Sequence, residues 1–127
     1  MSLDITPLTP KGRMVVKAYG DGEFFVAGEQ VKGSVILFPE RRVPWEVGEA
    51  SQITMESLQP LFDAEETTEL CIIGCGPRFV PPPKGLREAL REKGMVLEWM
   101  DTGAACRTHG MMLMEERLVV AALIAVD

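Results

Sequence analysis

The chain contains 127 residues, of which 46% are hydrophobic, and it carries a formal net charge of −6 with a sequence pI of about 4.8. This length suits a single domain, whose commonest size is about 100–150 residues. A surface of this sign repels phosphate backbones, so we expect no nucleic-acid partner. The longest strongly apolar run, residues 118–126, is much shorter than the roughly 20 residues of a transmembrane helix, so we also expect no membrane span.

The cysteines indicate the redox environment. Cys71, Cys75 and Cys106 give an odd count, whereas disulfide frameworks pair an even number of cysteines and are rare in reducing compartments. The N-terminus also lacks a basic region followed by an apolar one, the pattern of a secretory signal. We therefore expect reduced thiols and a cytoplasmic location.

The first third of the chain has the composition of a β-meander. The predicted segments are an irregular lead-in at 1–12 and strands at 14–19, 24–26, 31–38 and 43–47. Glycines near positions 20 and 28 predict the turns between the first three strands. Pro44 cannot donate a hydrogen bond to a central ladder, so the fourth strand is expected at a sheet edge.

The remainder of the chain alternates helices and strands. The predicted helices begin at Thr54, after the proline run 81–83, and at Asp101 or Thr102, and the strands that follow them span 69–73, 95–100 and 117–126. Pro60 is expected to kink or shorten the first helix. This alternation implies parallel strands joined by right-handed crossovers. The sequence thus predicts one α/β domain, residues 1–127, whose N-terminal meander extends or flanks the sheet.

The carboxyl ends of two predicted parallel strands carry the candidate site residues. Crevices form at such ends in open α/β sheets. An arginine and the free N–H groups at the start of the last helix would favour an anion there. The predicted cleft is lined by Gly74, Gly76, Asp101, Thr102, Cys106 and Arg107.

More specific chemistries fit the sequence less well. A dinucleotide-binding loop requires a third glycine where this chain has Phe79. Cys106 and His109 share a helix face, which suits a thiol nucleophile assisted by a histidine, but no third orienting group is evident. Cys71 and Cys75 lie too far apart on an extended segment for a typical zinc site. We assign no catalytic residue and expect neither a bound metal nor a cofactor.

Trp45 is the candidate interface residue. It follows Pro44 on the predicted edge strand, and tryptophan is enriched at binding hot spots. An exposed edge also invites pairing with another chain. These features predict contact through Trp45 with a protein partner, or with a second copy of the chain in a homodimer.

Short motifs extend over nearly the whole chain. They are Gly33-Ser34-Val35, Pro44-Trp45, Ile72-Ile73-Gly74-Cys75-Gly76, Leu86-Arg87, Met100-Asp101-Thr102, Ala105-Cys106-Arg107-Thr108, Glu115-Glu116-Arg117 and Val120-Ala121-Ala122-Leu123. Together they resemble a family of small hypothetical proteins typified by an archaeal Mth protein. One departure is His109-Gly110, where members usually have Tyr-Asn. A glycine in mid-helix costs about 1 kcal/mol relative to alanine, so a kink or close packing is expected at Gly110.

The resemblance implies a three-layer α/β/α fold around a mixed, largely parallel sheet. The family includes the mitochondrial respiratory complex I assembly factor 3, and it supplies no catalytic residues to carry over. It therefore implies a non-enzymatic binding module that assists the assembly or insertion of membrane-associated complexes, with a protein client as its partner. The alternative, which rests on the predicted cleft, is a protein or enzyme that binds a small molecule or an anion.

Overall fold

A computed structural model of the protein describes residues 13–66 and 68–127, so the predicted lead-in at 1–12 lies outside the described part. The strands within that part are β1 Val16–Gly20, β2 Glu23–Val26, β3 Glu29–Lys32, β4 Val35–Leu37, β5 Arg42–Pro44, β6 Leu70–Gly74, β7 Val96–Met100 and β8 Val119–Leu123. The helices are α1 Gln59–Asp63, α2 Leu86–Glu92 and α3 Thr102–Met114, and a short 3₁₀ turn spans Ala50–Gln52.

A mixed sheet of five strands forms the centre of the fold. Its strand order is β5-β4-β8-β6-β7. The strand β6 pairs in parallel with β7 and β8, whereas β4 pairs antiparallel with β8 and β5. Every residue of β4, β6 and β8 is buried, as expected of strands covered on both faces. The predicted α/β class and the parallel crossovers are confirmed.

Each face of this sheet carries its own hydrophobic core. One core joins the sheet to α1 and α2 and contains Leu61, Leu90 and Trp99. The other joins the opposite face to α3 and to the antiparallel meander β1-β2-β3, and it contains Phe24 and Leu113. The meander therefore flanks the sheet beside α3 rather than extending it, and the predicted three-layer arrangement is confirmed.

The predicted strand at 31–38 is wrong, because it is two strands in two different sheets. Gly33 adopts a φ of +83°, a left-handed conformation that favours glycine, and its N–H donates to the Gly22 carbonyl at 2.9 Å. The Ser34 carbonyl accepts from Trp45 N at 3.0 Å, and its Oγ accepts from Ala125 N at 2.9 Å. This junction sends β3 to the meander and β4 to the central sheet.

Pro60 shortens the first helix, as predicted. The helix α1 has only five residues and holds Pro60 in its first turn, where a missing N–H costs nothing. The predicted start at Thr54 is wrong. Thr54 and Ser57 instead form a turn in which each backbone N–H donates to the other hydroxyl, at 3.0 and 3.1 Å. These reciprocal bonds have the pattern of a capping box, here around a turn that precedes the regular helix at Gln59.

The outer edge of β7 is covered by side chains and a loop. Val96 N and Met100 O bond toward β6, so the peptide groups of Leu97 and Trp99 face outward. The guanidinium of Arg87 in α2 donates to the Leu97 carbonyl at 2.7 Å. The Trp99 indole donates to the Val80 carbonyl at 2.6 Å, which holds the loop after β6 against the end of this strand. A charged group on an edge strand opposes pairing with another chain.

Two glycines in contrasting surroundings provide a test of the packing. A Cβ at Gly74 would lie 2.9 Å from Thr102 Cα and 3.1 Å from Leu123 Cδ2, whereas a Cβ at Gly110 would meet no atom within 4 Å. The prediction of close packing at Gly110 is therefore wrong.

We expect Gly74→Ala to lower the free energy of unfolding by about 1–3 kcal/mol through overpacking. Gly110→Ala should raise it by about 0.5–1 kcal/mol. Urea unfolding measures both, and a neutral Gly74→Ala would contradict the packing.

Candidate functional site

The carboxyl ends of β6, β7 and β8 are joined by one buried threonine. Thr102, the first residue of α3, is fully buried. Its hydroxyl donates to the Ile124 carbonyl at 2.8 Å and accepts the Gly76 N–H at 3.1 Å. Its own N–H donates to the Gly76 carbonyl at 2.9 Å. The segments that follow three adjacent parallel strands are thus held by a single side chain and its backbone.

This threonine occupies the place where the topology would open a crevice. After β6 the chain passes to α2 on one face of the sheet, and after β7 it passes to α3 on the other. Such a switch point is where open α/β sheets bind ligands. Here the hydrogen bonds between Thr102 and Gly76 close the gap, and Gly74 is packed against Thr102. Gly74 and Thr102, two of the predicted cleft residues, are therefore buried parts of the framework.

An open cavity of about 570 Å³ lies beside this closed junction. Its floor comes from the carboxyl ends of β6 and β8, and its walls come from the 3₁₀ turn and the proline-rich loop after β6. The lining residues are Gly48, Glu49, Ala50, Ser51, Cys75, Gly76, Pro77, Arg78, Val80, Pro81, Pro83 and Ile124. Of the predicted cleft residues, only Gly76 lines it.

The polar groups of the cavity are few. The buried Cys75 thiol donates to the Arg78 carbonyl at 3.6 Å. The Glu49 carboxylate accepts from the Ser51 hydroxyl at 3.2 Å. Arg78 takes part in neither of the ion pairs found among the described residues, which are Arg41–Glu66 and Arg42–Glu29. Within residues 13–66 and 68–127, the site is thus mainly apolar, and its one cation, Arg78, lies outside both ion pairs.

The structure places the remaining predicted cleft residues elsewhere. Asp101 is the N-cap of α3, and its Oδ1 accepts from Ala104 N at 2.9 Å, so its carboxylate is used by the helix. Cys106 and Arg107 line a separate cavity of about 310 Å³ whose other wall is formed by β1 residues 16–19. The six predicted residues therefore do not line one site.

Burial favours the neutral forms of the Cys106 thiol and the His109 imidazole in α3. Burial raises the pKa of the Cys106 thiol to about 12, although Arg107 nearby lowers it somewhat. Burial lowers the pKa of His109 to about 4, and neither ring nitrogen has a hydrogen-bond partner in the described structure. A nucleophilic pair requires a thiolate and a histidine bonded to it. The environment of both residues disfavours that chemistry.

Trp45, the residue predicted to contact a partner, lies in the core of this chain. Only 5% of its surface is exposed, and its indole N–H donates to the Ser57 carbonyl at 2.8 Å. It follows the edge strand β5, as its sequence position predicts, but it turns into the core shared with α1 and α2. A buried indole needs a hydrogen-bond acceptor, and the turn around Ser57 supplies one.

Residues 13–66 and 68–127 contain neither a cluster of metal ligands nor a helix that could span a membrane. No group of three or more His, Cys, Asp or Glu residues in this part is arranged to hold a metal ion. No helix in the same part has the length and apolarity needed to cross a membrane.

Comparison with known proteins identifies relatives over most of the chain. The family model "Protein of unknown function (DUF498/DUF598)" matches residues 16–124. The NADH dehydrogenase (ubiquinone) 1 alpha subcomplex assembly factor 3 of Xenopus tropicalis is 30% identical over 111 residues, which cover 87% of this chain and 61% of that protein. The chain thus spans about three fifths of the length of this relative.

Solved structures agree with these relatives. An outer membrane protein from Bartonella henselae is 33% identical, superposes with a TM-score of 0.83, and is matched over 92% of this chain and 98% of its own. A Mth938-like domain protein from Bordetella pertussis is 27% identical with a TM-score of 0.79, over 98% and 92% of the two chains. The resemblance to the Mth-type family is confirmed.

The hydrogen bonds of Thr102 with Gly76 and Ile124 form what we call the threonine junction. Removing the Thr102 hydroxyl tests its contribution to stability. Thr102→Val keeps the side-chain shape but leaves the Gly76 N–H and the Ile124 carbonyl without this partner. We expect the free energy of unfolding to fall by about 1–3 kcal/mol, because a buried polar group without a partner retains its desolvation cost. The matched control is Thr108→Val, a half-buried position on the same helix. Equal unfolding midpoints in urea for the two variants would show that the junction contributes nothing to stability.

The buried histidine should make stability depend on pH. Its pKa is about 4 in the folded protein, below the ordinary value of 6.5. Between these values the unfolded chain binds a proton that the folded protein excludes, so stability falls as the pH drops through this window. We expect His109 to account for a loss of about 2 kcal/mol between pH 7 and pH 5. Urea unfolding at both pH values should show this loss in the wild type and not in His109→Leu; identical pH dependence would disprove it.

Proposed function

The chain belongs to the DUF498/DUF598 family, and we propose that it is a non-enzymatic binding module that assists the assembly of a membrane-associated complex of the NADH dehydrogenase type. One observation carries the proposal: the similarity to a named assembly factor covers 87% of the chain. It therefore extends over most of the domain, including parts of both cores, rather than over one shared motif.

The chemistry of the buried groups supports binding over catalysis. Cys106 and His109 are the pair best suited by sequence to nucleophilic chemistry. Burial raises the pKa of the thiol and lowers that of the imidazole. A residue that must form a reactive thiolate needs the opposite shift. These side chains fit a framework that presents surfaces to a partner.

The outer face of α3 offers a partner adaptable apolar contacts. Met111 is 60% exposed and Met114 is 46% exposed, one turn apart on the same helix. Leu118, just beyond the helix, is 55% exposed. Methionine side chains are flexible and polarizable, which suits surfaces that must fit incompletely assembled subunits. We infer that this face, Met111, Met114 and Leu118, contacts the client.

Site-specific photocrosslinking in the native cell tests the proposal. A photoreactive amino acid at position 111 should yield adducts with subunits of an NADH dehydrogenase-type complex. The same amino acid at position 91, an exposed arginine on α2 across the sheet, is the matched control and should yield few. Adducts from position 91 but not 111 would move the client surface to α2.

A genetic measurement completes the test. Loss of the gene should reduce the amount of fully assembled complex on native gels and leave smaller subassemblies behind. If the assembled complex stays at its normal level and no adduct from either position contains a subunit of it, the assembly role is wrong.

A further inference from the structure

The cavity beside the threonine junction is not used by the assembly role, yet it has the form of a ligand site. Its volume of about 570 Å³ falls within the range of roughly 300–1,000 Å³ typical of pockets that hold small molecules. It also lies at the carboxyl ends of parallel strands, where α/β folds bind their ligands. The residues that line it show what kind of molecule it fits.

The walls of the cavity are apolar over most of their extent. Val80, Pro81, Pro83 and Ile124 come from two separate segments and face the same space. The proline-rich loop is fixed at Val80, whose carbonyl accepts the Trp99 indole N–H at 2.6 Å. A loop held in this way keeps its apolar surface in place without a ligand, which lowers the cost of binding one. The body of the ligand is therefore apolar.

One side chain that lines the cavity carries a charged donor for a polar head. Pro77, Pro81 and Pro83 have no N–H, and the Gly76 N–H already donates to the Thr102 hydroxyl. These four residues therefore supply no backbone donor to a ligand. The remaining charged donor on the cavity is the guanidinium of Arg78.

The two charges on the cavity are not equivalent. The Glu49 carboxylate already accepts the Ser51 hydroxyl. The Arg78 guanidinium belongs to neither ion pair among the described residues. A carboxylate such as that of Glu49 only accepts hydrogen bonds, so the charged group that can pair with a carboxylate ligand is Arg78, whose planar guanidinium fits it with two parallel hydrogen bonds.

We propose that this cavity binds a small carboxylate with an apolar body. The carboxylate pairs with Arg78, and the body packs against Val80, Pro81, Pro83 and Ile124. Gly76 leaves room for it, because apart from Gly76 and its two chain neighbours no described residue has an atom within 4 Å of the place where a Cβ would stand. The proposal does not depend on the assembly role, and each stands if the other fails.

Four probes test the ligand class. Octanoate and 4-phenylbutyrate carry the carboxylate on an aliphatic and an aromatic body, and octanol and 4-phenylbutanol are their uncharged counterparts. We expect at least one acid to produce saturable NMR shift changes centred on residues 48–51, 75–83 and 124. Its alcohol should bind about tenfold more weakly, since a charge-assisted hydrogen bond is lost. If neither acid binds at millimolar concentration, or each alcohol binds as well as its acid, the proposal is wrong.

Variants of exposed residues locate the two halves of the site. Arg78→Gln should weaken the acid about tenfold and leave the alcohol unchanged. Arg91→Gln, which removes an exposed arginine away from the cavity, is the matched control and should leave both unchanged. Ser51→Trp should fill the cavity and abolish binding of both. Equal affinity of the acid for the Arg78 and Arg91 variants, with unchanged unfolding midpoints, would overturn the role of Arg78.

Discussion

The Thr102 hydroxyl is the constraint on which the rest of the structure depends. Strands in a parallel ladder are linked by backbone hydrogen bonds along their length, but the chain segments beyond their carboxyl ends have no ladder to join. Thr102 supplies those segments with bonds to Gly76 and Ile124. The same residue starts α3, so the helix position, the strand exits and the last residues of the chain are fixed together. This explains why Gly74, next to it, has no room for a side chain.

The hydrogen bonds of Thr102 also determine where a cavity remains at the carboxyl ends of the strands. With the gap between β6 and β7 filled, the proline-rich loop and the 3₁₀ turn form the two walls of the open cavity beside it. The two opposite faces of the protein therefore have different character. One carries the open, mainly apolar cavity with Arg78, and the other carries the exposed methionines of α3. Small-molecule binding and contact with a protein client can consequently occur on the same domain without competing for the same residues.

Local sequence patterns predicted most of the fold. The alternation of apolar segments with Pro60, the proline run at 81–83 and Asp101 indicated the helices and parallel strands, because these features act on neighbouring residues. The division at Gly33-Ser34 was missed, since a strand that leaves one sheet for another keeps its apolar pattern. The burial of Trp45 was not predicted either. The edge position of β5 was predicted, but the Ser57 carbonyl that accepts the indole N–H lies in a turn that is distant in the sequence.

The site was less predictable than the fold. Only Gly76 among the expected cleft residues lines the cavity, because the prediction grouped residues by strand ends and could not tell that Thr102 fills the space between them. Glu49 and Ser51 were missed altogether. They reach the cavity through the packing of the 3₁₀ turn against a loop that begins about 25 residues later, and no local signal marks such a contact. The proline run near Pro81 was the available signal, since rigid loops often carry binding surfaces.

The covering of β7 by Arg87 has a consequence for how the protein behaves at high concentration. Arg87 belongs to α2, a helix of seven residues. It therefore covers the edge of β7 only while that helix stays packed against the sheet. If α2 detached in a local fluctuation, the outer edge of β7 would become exposed together with Leu97 and Trp99, while the rest of the domain stayed folded. Self-association through this edge should therefore follow the rate at which α2 opens locally.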